Sequence, residues 1–189
     1  MRTTTRPAGP APRAGGRIRA AQPGDLEGLR AVYNHAVLHT DATLDTEEKS
    51  PEDFREWFAD HQGRYRAGVY LDDDGRACGY AALSAFSRRG GYHPLAELSV
   101  YLAPHAQGRG CGTALTRWAL DQAGRRDFAT IVCFVTTTNE ASGRMLARCG
   151  FERTGVMRRA GRKLGAFVDL GIWQAFLPDG PDRPLTPGV

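Results

Sequence analysis

The chain has 189 residues, 41% hydrophobic and 24% charged, with 3 Trp, 6 Tyr and 8 Phe. Those proportions supply a buried core for one domain and exclude disordered, collagen-like and disulfide-framework proteins; no apolar run of about 18 residues offers a membrane span. The net charge of +4 equals that of Arg2, Arg6, Arg13 and Arg17 in an acid-free first stretch, so the rest is formally neutral and lacks the electrostatic footprint of a nucleic-acid binder.

Residues 1–16 (MRTTTRPAGPAPRAGG) and 178–189 hold too little apolar surface to fold and are assigned as flexible tails around a domain at 17–177. A short strand at Arg17–Ala20 opens that domain. After Pro23, Leu26, Leu29, Val32, Tyr33, Ala36 and Val37 recur at helical spacing. Ser50-Pro51-Glu52-Asp53 starts a second helix, with Ser as cap, Pro at the first position and an acid at the third. Phe54, Trp57 and Phe58 form its buried stripe, and Gly63 stops it.

Strands are predicted at Ala67–Leu71 and Ala77–Leu83, joined by the hairpin signal Asp72-Asp73-Asp74-Gly75. A loop at Arg88–Gly91 precedes a strand at Leu95–Leu102 and a glycine-rich turn. A helix from near Thr113 to Gly124, a strand at Thr130–Val135 and a helix at Asn139–Cys149 follow. Strands at Phe151–Met157 and Ala166–Ala175 close the domain. The order βααβββαβαββ predicts an α/β fold, with a mixed central sheet flanked by helices and a βαβ crossover in its second half. Cys78, Cys111, Cys133 and Cys149 show no paired metal spacing, and no secretory apolar segment is found; a reduced, cytoplasmic protein without a structural metal is expected.

The chemistry concentrates after the strand Glu97-Leu98-Ser99-Val100-Tyr101-Leu102. Alternation puts Glu97, Ser99 and Tyr101 on one face and Leu98, Val100 and Leu102 on the other. Then comes Gln107-Gly108-Arg109-Gly110-Cys111-Gly112-Thr113, whose glycines leave backbone N–H groups uncovered at the start of a helix, an arrangement that binds phosphate. A P-loop would need Gly-Lys-Ser/Thr, and a dinucleotide fingerprint would need glycine where Thr113 stands. The segment Gln107-x-x-Gly110-x-Gly112 instead resembles the acetyl-CoA pyrophosphate loop of the GNAT N-acetyltransferases.

Asn139-Glu140-Ala141-Ser142 with Cys149-Gly150-Phe151, Tyr33-Asn34-His35-Ala36-Val37, Glu97-x-Ser99-Val100-Tyr101, and Gly161-Arg162-Lys163 with Asp169-Leu170 extend the resemblance to the phosphinothricin N-acetyltransferase-like branch, over roughly residues 18–176. The resemblance implies acetyl-CoA as co-substrate, no metal, a small amino-acid-like amine as acceptor and a homodimer. It implies Glu97 as general base, with Val100, Tyr101, Leu102, Gln107, Gly108, Arg109, Gly110, Cys111, Gly112, Thr113, Asn139 and Ser142 at the cofactor. It places His35 and Lys163 by the acceptor; Arg88, Arg89 and His93, just before Glu97, are the nearest cations for an acceptor carboxylate. His35 and His39 have a metal-like spacing but no third ligand.

Two departures stand out. Relatives commonly carry His or Tyr seven residues after the Asn, where this chain has Leu146, and an Arg and a Thr where it has His93 and Leu95. Water or the Tyr101 hydroxyl would then reprotonate the thiolate. An acceptor such as a protein N-terminus or an aminoglycoside, or a non-catalytic acetyl-CoA sensor, stays open.

Overall fold

The computed structural model describes residues 16–177; the tails assigned at 1–16 and 178–189 lie outside the described residues, Gly16 excepted. In chain order the elements are β1 (Arg17–Ala20), α1 (Leu26–His39), α2 (Pro51–Asp60), β2 (Ala67–Leu71), β3 (Ala77–Ala85), β4 (Leu95–Leu102), α3 (Cys111–Gly124), β5 (Thr130–Thr136), α4 (Glu140–Arg148), β6 (Glu152–Lys163) and β7 (Ala166–Phe176). This is the predicted βααβββαβαββ order. The strands form one seven-stranded sheet, β1-β2-β3-β4-β5-β7-β6, in which β4 and β5 pair in parallel and every other neighbouring pair is antiparallel.

Local chemistry sets the element ends. Ser50 Oγ accepts from Asp53 N at 3.1 Å while Asp53 Oδ2 accepts from Ser50 N at 2.7 Å, a reciprocal cap with Pro51 in the first turn of α2. The helix ends at Asp60, before Gly63, where His61 Nδ1 lies 2.6 Å from the Trp57 carbonyl oxygen. Asp72 Oδ1 accepts from the Asp74 and Arg76 N–H groups at 3.0 and 2.8 Å, folding the β2–β3 hairpin.

Three boundaries of the predicted ranges differ from expectation by two residues or more, the others by at most one. α3 begins at Cys111 because Gly110, at φ +87°, serves as its N-cap. β3 continues to Ala85, held by β4 through Ser84–Glu97 and Ala85–Ala96 pairs. β6 runs past Met157 to Lys163 across a bulge between Met157 and Gly161, where Asp169 Oδ1 accepts from Arg159 N at 2.7 Å. The polar Arg158-Arg159 pair reads as a strand end, yet β7 supplies the partner that carries the strand through.

Each sheet face is covered differently. Tyr80, Ala82 and Ser84 of β3 and Ser99 and Tyr101 of β4 share a face with residues of α1 and α2. On the opposite face Trp118 of α3 lies over Gly68, filling the space where a side chain would begin, and Trp173 of β7 lies against Gly143 of α4. Leu29, Leu83, Leu98, Leu115, Phe128 and Ile131 are almost wholly buried. In α2 the expected stripe is only partly buried: Phe54 is covered, whereas Trp57 and Phe58 are half-buried. Among the described residues no helix is long and apolar enough to cross a membrane.

Candidate active site

The parallel pairing of β4 and β5 covers only Leu95–Thr130, Ala96–Ile131 and Glu97–Val132. β7 continues to pair with β5 as far as Thr136, and β3 with β4 as far as Leu102, so the two central strands part after Glu97. Between them lies a slot walled by Leu98–Tyr101 and Cys133–Thr136, with Asn139, Ser142 and Leu146 of the α4 region behind it. Strand edges that separate inside a sheet hold unpaired N–H and C=O groups, which an extended amide-bearing chain can satisfy.

The slot opens into a groove of about 280 Å³ lined by Val100, Tyr101, Leu102, Gln107, Gly108, Gly110, Gly112 and Thr113 on one side and Asn139, Ser142, Met145 and Arg148 on the other. Gly108 and Gly110 have φ of +71° and +87°, and nothing lies within 4 Å of where a side chain on either would begin. The first turn of α3 has no side-chain cap, leaving its N–H groups and positive dipole end for an anion. Asn139 caps α4 by accepting from Ser142 N at 3.0 Å. These parts fit a pyrophosphate at the glycine loop and a pantetheine-like arm in the slot.

Glu97 stands where the strands divide, opposite Ser84 on β3 and beside Val132 on β5. It is half-buried, with no hydrogen-bond or ion-pair partner among the described residues, and burial pushes its carboxyl above the ordinary carboxylate range. Such a carboxylate is a stronger base than a solvated one. Burial, reinforced by the charge of Glu97, pushes the Cys133 thiol up to about 12, so it stays neutral and unsuited to act as a nucleophile. Tyr101 borders both slot and groove, and burial raises its hydroxyl to about 12, leaving it protonated at neutral pH.

The structure gathers most of the sequence-derived residues here, and a few lie elsewhere. Cys111 is buried at the start of α3, while Arg109 is exposed and lines none of these cavities. His35 borders the groove that holds the glycine loop, with its ring 4.7 Å from that of His39. Lys163 is buried, and its ammonium donates to the Asp45 carbonyl oxygen, so it ties the β6–β7 hairpin to the α1–α2 loop. Arg88 and His93 are exposed in the loop before β4, on no cavity wall.

Sequence reasoning missed the second chamber. A cavity of about 430 Å³ lies on the Glu97 face, and its walls include Tyr33, Asp45, Lys49, Trp57, Tyr80 and Ser99. Tyr33 donates to Asp45 Oδ2 at 2.7 Å, Lys49 pairs with the same carboxylate at 2.9 Å, and Asn34 bonds both backbone groups of Lys49. Burial opposes ionisation of Asp45, but the Lys49 and Tyr33 hydrogen bonds hold its carboxyl below the ordinary range. The alternation of β3 places Tyr80, Ala82 and Ser84 on one face; that this face is the face of Glu97 depends on register.

Comparison with known proteins gives concordant results. Residues 31–151 match the family described as "Acetyltransferase (GNAT) family". The chain is 36% identical over 160 residues to phosphinothricin N-acetyltransferase of Streptomyces coelicolor, covering 83% of this chain and 94% of that protein. It is 31% identical to an L-methionine sulfoximine/L-methionine sulfone acetyltransferase of Salmonella typhimurium, covering 86% and 95%. The crystal structure of a phosphinothricin acetyltransferase from Sinorhizobium meliloti, in complex with acetyl-CoA, superposes with a TM-score of 0.86 at 31% identity, covering 92% and 95%.

Proposed function

The chain belongs to the GNAT family of acetyl-CoA-dependent acetyltransferases, and from that premise we propose that it acetylates the primary amine of a small amino-acid-like acceptor, with Glu97 as general base. The observation that carries this reading is the unpartnered, half-buried carboxylate of Glu97 at the point where β4 and β5 separate. The acceptor class rests on the relatives, which act on phosphinothricin and on methionine sulfoximine or sulfone.

Acetyl-CoA supplies an acetyl thioester. Gly108 to Thr113 would hold its pyrophosphate through backbone N–H groups and the α3 dipole, and the parted edges of β4 and β5 its extended arm. An amine acceptor arrives mostly as an ammonium, and Glu97 removes a proton so that the nitrogen lone pair can attack. Charge growing on the carbonyl oxygen would meet backbone N–H groups of the unpaired β4 edge. The neutral Cys133 thiol favours direct transfer over a covalent enzyme intermediate. With Leu146 buried in place of a donor, water or the Tyr101 hydroxyl that borders the slot would return a proton to the departing thiolate.

The test is thiol release from acetyl-CoA against a panel of amines that includes phosphinothricin and methionine sulfoximine. Turnover with an amino-acid-like member supports the proposal. Thermal stabilisation by acetyl-CoA without turnover of any amine would instead favour a sensor.

The homodimer implied by the family resemblance has a surface to support it. Val156, Met157 and Phe167 on the β6–β7 hairpin are 40%, 45% and 60% exposed, apolar side chains that a second copy of the chain would cover.

A further inference from the structure

We infer that the chamber beside Glu97 is a cation-recognition site, and that the preferred acceptor carries a second positive charge a few carbons from its reacting amine. This deepens the acetyltransferase reading above and rests on it for the identity of the reacting end alone.

Five aromatic rings form a closed circuit of contacts on the chamber wall. Tyr33 meets Tyr101 at 4.9 Å between centroids, Tyr101 meets Tyr80 at 5.4 Å, and Tyr80 meets Trp57 at 5.5 Å. Trp57 meets Phe54 at 5.2 Å, and Phe54 returns to Tyr33 at 6.0 Å. All five border the same cavity of about 430 Å³. Aromatic faces carry negative charge density and attract ammonium groups, most strongly where water is excluded.

The charges around the ring have the matching sign. Asp45, Asp53, Glu56 and Asp60 border the chamber, against Lys49 as the one bordering cation. Lys49 is engaged by Asp45, and Asp53 is occupied in capping α2. Lys163 donates to the Asp45 carbonyl and its charge also acts on the Asp45 carboxylate, and Arg30 pairs with Glu27. Glu56 and Asp60, one turn apart on α2, have no hydrogen-bond or ion-pair partner among the described residues. Inside, Tyr80 is 2% exposed, and its hydroxyl also has no hydrogen-bond partner among the described residues. A chamber serving only as core would have its polar groups paired and its volume filled.

Position links this chamber to the reaction. Ser99 and Tyr101 on its wall follow Glu97 on the same face of β4, and Ser84 stands directly opposite Glu97. Two residues along a strand span about 7 Å. An acceptor with roughly four or five carbons between nitrogens, such as a diamine or a basic amino acid, can therefore leave one nitrogen at Glu97 and extend the other into the ring.

Two measurements test this. In calorimetry with CoA present, 1,5-diaminopentane should bind about tenfold tighter than 1-aminopentane, and the Glu56→Gln/Asp60→Asn double variant should erase the difference. Equal binding of the two amines, or a preference untouched by the double variant, overturns the inference whether or not any amine is turned over. In turnover, kcat/KM for lysine should exceed that for norleucine by about tenfold, and the double variant should bring the ratio towards one. If the diamine binds selectively while no amine is acetylated, the transferase reading has failed and the cation site stands. If lysine and norleucine react equally, the cation site has failed and the transferase reading stands.

Discussion

Glu97 combines a functional demand with a folding cost. Burial without a partner raises its carboxyl, so its charged form is disfavoured in the folded protein. A group whose folded pKa exceeds its unfolded value contributes stability below the unfolded pKa and loses it as pH rises towards the folded one. At neutral pH the ionised side chain is therefore a burden that Glu97→Gln removes. We expect that variant to melt no lower than the parent at pH 7, while kcat falls by roughly two to four decades and acetyl-CoA affinity is unchanged. The acid limb of kcat/KM in the parent should lie above the ordinary carboxylate range, because activity needs the deprotonated form. A kcat unchanged in Glu97→Gln, measured by thiol release, would remove Glu97 from the base role.

At the scale of elements, the junction from β4 into α3 joins two conditions that no single residue meets. The strand must leave its β5 partner, and the following helix must begin without a side-chain cap so that its first N–H groups stay open. Gly110 meets the second by turning the chain at φ +87° and leaving the space above it clear. Gly110→Val is expected to weaken acetyl-CoA binding by at least about tenfold in calorimetry, since the side chain would fill the anion cradle and strain the turn. Retained affinity would place the phosphates elsewhere. The β6–β7 hairpin shows a second element-scale effect. Leu164 and Gly165, both at positive φ, form a two-residue turn, and Asp169 stabilises the upstream bulge, so the hairpin extends far enough for Lys163 to reach the α1–α2 loop.

For the whole molecule, the groove and the chamber meet along β4, where Tyr101 lines both. The phosphate loop belongs to the α3 side, the aromatic ring to the α1–α2 side, and Glu97 sits at the split that joins them. Two substrates approaching from different directions suit a ternary complex. The exposed Val156, Met157 and Phe167 lead to a further expectation. Light scattering should give twice the chain mass, and Met157→Glu with Phe167→Glu should shift it towards the single-chain value, because charges at an apolar interface are costly to bury. A single-chain mass for the parent would remove the dimer.

The sequence by itself determined the parts whose physics is local. Helical spacing, the Ser50–Asp53 cap, the Asp-Gly hairpin and the glycine loop depend on neighbours within a few residues, so element order and the cofactor motif were legible. Strand alternation likewise put Glu97, Ser99 and Tyr101 on one face. Only the tertiary structure decided what that face meets. Tyr33, Phe54, Trp57 and Tyr80 read individually as core because each obeys the spacing of its own element; their circuit exists only through packing of α1 and α2 on β3 and β4. The divergence of β4 from β5 was equally hidden, since it arises when two strands follow different outer partners, and pairing between distant segments leaves no periodic trace in either one.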